Sequence, residues 1–146
     1  MKIISTILLL SNFFSSKVNM DKVTPFIKAA LDKDMTTMQS ILATDSSAVN
    51  SVEEGTGKNA MHFIAKLGHR QYPPAEIPTY LIKSGIDINA KDKSGLTPLE
   101  ISLQSGWQNI ASLLLDNGVD RSVVTPSMKS KITCPDCKRV VSSYGL

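Results

Sequence analysis

Leu81, Gly85 and Asp87 are matched by Leu114, Gly118 and Asp120, each at an offset of 33 residues. A chain that repeats itself at this interval is built from one small unit used several times, and that constrains its fold more than its composition does. The unit is also visible upstream. "GKNAMHFIAKLGH" (57–69) aligns with "GLTPLEISLQSGW" (95–107) at an offset of 38. Five residues inserted within "RQYPPAEIP" (70–78) reconcile the two offsets, with Pro73 and Pro74 lengthening a turn and Pro78 in the first turn of the next helix. "VTPFIKAALDKDMTTMQSIL" (23–42) supplies an earlier copy, with Met38, Ile41 and Leu42 on its second helix.

Local chemistry explains the unit. Thr97 suits a helix N-cap and Pro98 the first helical position, where no N–H is needed and φ is already helical. Leu99, Ser102 and Leu103 share one face at helical spacing, and Gly106 is placed to end the helix. A second helix follows, with Ile110, Leu113 and Leu114 as its stripe and Gly118 as its stop. "NAKDKSG" (89–95) carries the Asp and Gly of a tight, hairpin-like loop. Thr24-Pro25 repeats the cap of Thr97-Pro98.

A period of 33, a Thr-Pro-Leu-His-x-Ala-like motif, paired short helices and a projecting loop resemble the ankyrin repeat. The resemblance rests on Thr24-Pro25-Phe26, Ala60-Met61-His62 and Gly95-Leu96-Thr97-Pro98-Leu99, with "GIDINAKDKSGLTPLE" (85–100) closest to the pattern. It covers about residues 21–120 as three repeats, with room for a partial fourth after Gly118. Glu100 replaces the motif histidine, Ala60 the motif proline, and Lys33 stands where glycine is usual. The fold implied is an all-α solenoid of about three helix-pair repeats.

One helix pair cannot bury its apolar face alone, so repeats stack and leave a concave face and a row of loop tips. The resemblance implies that partner-reading positions lie in the loops and at the end of each first helix. Those are Thr56, Lys58, Lys66 and Leu67 in the second repeat, and Lys93, Ser94, Leu96, Gln104 and Ser105 in the third. Leu96 is apolar on a loop expected to be exposed. Trp107, the only tryptophan, either packs on the next helix or anchors an interface. His62 takes the motif histidine position, for which the family implies a bond that braces the loop.

Catalytic patterns are absent: no nucleophile elbow, phosphate loop or HExxH is present. The expectation is a non-enzymatic module, a monomer that binds a protein. Charge argues against nucleic acid. Residues 21–120 hold 9 Lys/Arg and 12 Asp/Glu, while 121–146 hold 5 against 1, so the overall +3 comes from the ends. Residues 121–146 are expected as a basic tail.

"CPDC" (134–137) is the one chemical motif outside the repeats. Cys134 and Cys137 could supply half of a zinc site, form a labile disulfide or redox pair, or belong to an unremarkable tail. The two histidines, His62 and His69, both fall within the repeats. No cofactor is expected other than zinc at these cysteines. That is the rival functional expectation: a metal or thiol-redox module on an ankyrin scaffold.

The first 20 residues form an apolar extension. "IISTILLL" (3–10) is too short to span a bilayer. It is either a signal-peptide core, which would imply a secreted or periplasmic protein, or a stretch upstream of a start at Met20 in a cytoplasmic one.

Overall fold

The computed structural model describes residues 23–67 and 76–146. The apolar extension, most of the proline-rich insertion and His69 lie outside the described residues. Eight α-helices follow one another among the described residues: α1 (Pro25–Asp32), α2 (Met35–Thr44), α3 (Ala60–Leu67), α4 (Glu76–Lys83), α5 (Pro98–Ser105), α6 (Gln108–Asp116), α7 (Pro126–Ser130) and α8 (Pro135–Ser143). Two 3₁₀ turns, Ser46–Asn50 and Arg121–Val123, sit in the connections. The all-α repeat architecture is as expected.

The first helices stack in a row, α1 on α3 and α3 on α5, and each packs on its own second helix. This puts α3 almost wholly inside: its residues 60–65 are buried. Caps form where the sequence places them. Thr97 Oγ1 accepts from the Glu100 amide and the Glu100 carboxylate accepts from the Thr97 amide, a reciprocal capping box. Gly106 ends α5 at φ 83°, a left-handed conformation that glycine adopts without a Cβ clash. Lys33 ends α1 at φ 60° without that freedom. It stands where the repeat pattern has glycine, and such a conformation costs a non-glycine residue about 1 kcal/mol.

Three elements differ from the sequence expectation. In α6 the buried residues are Ile110, Ala111, Leu114 and Leu115, while Leu113 is half-buried. The helix touches both α5 and α8, so its buried stripe is rotated and wider than one neighbour requires. In α2 only Met38 is buried, and Ile41 and Leu42 are half-buried. This helix leans on α1 and the following 3₁₀ turn, with no preceding repeat among the described residues to cover its other side.

The largest difference is at the expected basic tail. Residues 126–143 form a helix pair, and Met128, Ile132, Cys137 and Val141 join the same buried cluster as the repeats. Thr125-Pro126 caps α7 as Thr97-Pro98 caps α5, with Thr125 Oγ1 accepting from the Met128 amide at 3.1 Å. Apolar residues at helical spacing, not charge, decided that this segment packs.

Candidate protein-binding face

The loops before α3 and before α5 are joined from their tips inward. At the tips, the Lys93 amide donates to the Thr56 carbonyl (2.8 Å), and Lys93 Nζ donates to the Glu54 carbonyl (2.5 Å). The first tip is shaped by Glu53, whose buried carboxylate accepts from the Gly55 amide (3.0 Å), the Thr56 amide (2.7 Å) and the Thr56 hydroxyl. Gly57, at φ 70°, lies against Lys93: a Cβ there would meet Lys93 Cγ at 3.2 Å.

Deeper in, Lys58 Nζ meets Asp92 Oδ2 at 2.8 Å, with side chains 14% and 1% exposed. Asp92 Oδ1 also accepts from the Ser94 and Leu96 amides, at 2.8 and 3.1 Å. Burial pushes the Asp92 carboxyl up, but the Lys58 bond and the two amides outweigh it and hold the group below the usual carboxylate value.

At the centre of the clamp is His62, which is fully buried. A carbonyl oxygen only accepts, so Nε2 carries the proton that bonds Leu96 O at 3.1 Å, while Nδ1 faces Asn59, 3.2 Å from its amide nitrogen and 2.7 Å from its Oδ1. This is the loop-bracing bond implied for the motif histidine. Burial lowers the pKa of His62; the Leu96 carbonyl and Asp92 oppose that shift without reversing it. Asn59 occupies the motif threonine position and does that residue's work, its Oδ1 accepting from the His62 amide (3.1 Å) and its Nδ2 reaching Asp87 O (3.1 Å). At the far end of α3, Trp107 Nε1 donates to Lys66 O at 3.3 Å.

These bonds sort the expected partner-reading residues. Thr56, Lys93 and Ser94 stand exposed together at the tips. Lys66 and Ser105 are exposed at the ends of the first helices, beside Trp107. The two groups lie about 12 Å apart along α3, at 1.5 Å per residue. Lys58 is committed to Asp92. Leu96, expected on an exposed loop, is half-buried and packed on the core, and its carbonyl is held by His62. Leu67 and Trp107 also pack against the core. Half-buried Gln104 donates to the Met128 sulfur at 3.4 Å. One further residue was not singled out by its sequence: Val52 is 47% exposed at the foot of the first tip, the one exposed large hydrophobic among the described residues. An apolar residue just before the charged "EEG" turn is the signal that could have marked it.

The cysteines lie elsewhere, at the start of α8. Both are free thiols. Among the described residues, no group of three or more His, Cys, Asp and Glu side chains is placed to hold a metal ion.

The family profile described as "Ankyrin repeats (3 copies)" matches residues 26–125. The chain belongs to the ankyrin-repeat family. An ankyrin repeat protein of fowlpox virus is 37% identical over 59 residues, covering 40% of this chain and 13% of the viral one. Human protein phosphatase 1 regulatory subunit 27 is 35% identical over 66 residues, covering 44% of this chain and 43% of that protein. The human NAD-capped RNA hydrolase NUDT12 is 33% identical over 92 residues, covering 63% of this chain and 19% of the enzyme. The chain thus spans less than half the length of these curated relatives. Ankyrin repeats typically mediate protein–protein contact and are non-catalytic, although one of these relatives is an enzyme by name. No helix among the described residues is long and apolar enough to cross a membrane.

Proposed function

We propose that this ankyrin domain is a non-catalytic binding module that holds a protein partner on the loop tips and first-helix ends of its second and third repeats. The observation that carries the reading is the clamp itself. Buried polar bonds from His62, Asp92 and Asn59 fix two loops whose outer residues, Thr56, Lys93 and Ser94, remain exposed, as do Lys66 and Ser105 at the first-helix ends. A pre-ordered loop loses less entropy on binding, which favours affinity. Val52 adds an apolar contact at the foot of the first tip. The scarcity of exposed large hydrophobics among the described residues supports a chain that works as a single copy. The reading requires no cofactor, and a repeat region without cysteine needs no oxidising compartment, which suits the cytoplasm.

The test is a triple variant, Lys66→Glu, Lys93→Glu and Ser105→Arg, immobilised beside the parent and exposed to an extract of the source cells. All three side chains are exposed and only the Lys93 bond to the Glu54 carbonyl is lost, so the variant should melt within about 1 kcal/mol of the parent. The expected result is a protein retained by the parent and lost by the variant. Retention of the same proteins by both would overturn the surface assignment.

A further inference from the structure

The motif left over by the binding function is Cys134-Pro-Asp-Cys137. Its two cysteines occupy different environments on one turn of helix. Cys134 is the N-cap of α8, half-buried, and its Sγ accepts from the Cys137 amide at 3.4 Å. Cys137 is three residues on, wholly buried in the cluster that joins the last helix pair to the repeats. The bond from the Cys137 amide therefore holds the Cys134 sulfur against the first turn of α8, the turn that carries Cys137. Helix geometry puts Cα atoms three residues apart at about 5 Å, inside the roughly 4.4–6.8 Å that a disulfide spans. Beside Cys134 lies Gly106: a Cβ added there would meet Cys134 Cβ at 3.6 Å, an ordinary contact.

We propose that Cys134 and Cys137 are a dithiol–disulfide pair, oxidised reversibly by a low-molecular-weight disulfide, with Cys134 as the attacking sulfur and Cys137 as the resolving one. The Cys134 thiolate attacks one sulfur of the small disulfide. A mixed disulfide forms, and the first small thiolate leaves with the electron pair of the broken S–S bond. Cys137 Sγ then attacks Cys134 Sγ, its proton passing to a departing thiolate, and the second small thiol leaves. Two protein thiols are oxidised to one disulfide while one small disulfide is reduced to two thiols. Excess small thiol reverses both steps.

The environments suit these roles. The Cys137 amide and side chain hold the Cys134 thiol below the usual value, so it is the readier thiolate. Burial, followed by the Cys134 sulfur and the Asp136 charge, pushes Cys137 up to about 12. Cys137 therefore stays protonated and sheltered until a mixed disulfide forms beside it. That separation makes Cys134 the sulfur that reacts first with an alkylating agent at neutral pH, even though nucleophilicity falls as acidity rises. The inference is independent of the protein-binding reading.

The experiment treats the full chain with glutathione disulfide, quenches with acid and measures intact mass. The expected product is lighter by two hydrogens and carries no glutathione, and reduced glutathione restores the starting mass. Cys137→Ala should instead accumulate an adduct of one glutathione. Cys134→Ala should react with iodoacetamide several-fold more slowly than Cys137→Ala, because the remaining thiol is then the buried one. A stable glutathione adduct on the parent chain would overturn the pairing, whether or not the variants fold. Equal alkylation rates in the two variants would overturn the assigned roles. Zinc retained by the parent through dialysis, with both thiols protected from iodoacetamide, would replace the redox pair with a metal site.

Discussion

The junction between repeats two and three and the junction between repeat three and the last helix pair solve the same problem with different chemistry. The first is closed by buried and half-buried polar groups, Lys58–Asp92, His62 to Leu96 and Asn59 to Asp87, with an exposed bond from Trp107 to Lys66 at the far end. The second is mainly apolar, with Leu114 and Leu115 of α6 in the same buried cluster as Met128, Ile132, Cys137 and Val141. Among the described residues its polar bonds lie at the edges: Asn89 Oδ1 accepts from the Asp120 amide at 2.7 Å, the Tyr144 hydroxyl donates to Asp116 Oδ1 and Gln104 donates to the Met128 sulfur. Apolar packing is tolerant of small shifts, whereas a buried polar network holds only when every member is satisfied. The polar junction therefore fixes loop positions, and it is the one that carries exposed tips. The apolar junction closes the end of the stack.

Substitutions separate the two. The largest loss is expected for Leu114→Ala, about 3–4 kcal/mol by urea unfolding, with the pH dependence of stability unchanged. Lys58→Met should cost about 2–3 kcal/mol, because it leaves the Asp92 carboxylate buried without its cation. A loss under about 0.5 kcal/mol would show that the polar junction contributes little.

His62 distinguishes the junctions by pH. Its folded pKa lies below the ordinary 6.5, so the unfolded chain binds the proton first. Stability is then complete above about pH 7 and falls as pH drops through 6.5 toward the folded value. Unfolding monitored from pH 7.5 to 5 should show this decline. His62→Phe should weaken it while costing about 1–2 kcal/mol at neutral pH, through the unpaired Leu96 carbonyl.

Trp107→Phe keeps most of the packing and removes the donor to Lys66 O, for an expected loss of about 1 kcal/mol in thermal or urea unfolding. The smallest effect is a gain. Lys33→Gly should add roughly 0.5–1 kcal/mol by relieving the left-handed C-cap of α1, far from both junctions.

Much of the fold was legible because short-range chemistry wrote it. Thr97-Pro98, Gly106 and the apolar face of α5 follow from capping and periodicity, and His62 sits where the repeat pattern expects it. The last helix pair was missed although Thr125-Pro126 carries the same cap. Its spacing of 28 from Thr97 breaks the period, and the charge shift after Asp120 favoured a tail. The candidate site was legible only in outline. Position within a repeat indicates which residues are near a loop, but not that Lys58 is paired with Asp92 or that Leu96 turns onto the core. Those outcomes depend on contacts 34 residues apart, which no local pattern records.

If the clamped tips and helix ends of repeats two and three form the binding face, a bound partner covers them. Amine footprinting of the captured complex tests it most directly, comparing lysine acetylation in the bound and free chain. Lys66 and Lys93 should be protected, with Lys28 on α1 and Lys83 on α4 labelled equally in both states. Protection of Lys83 or Lys28, with Lys66 and Lys93 still open, would contradict it.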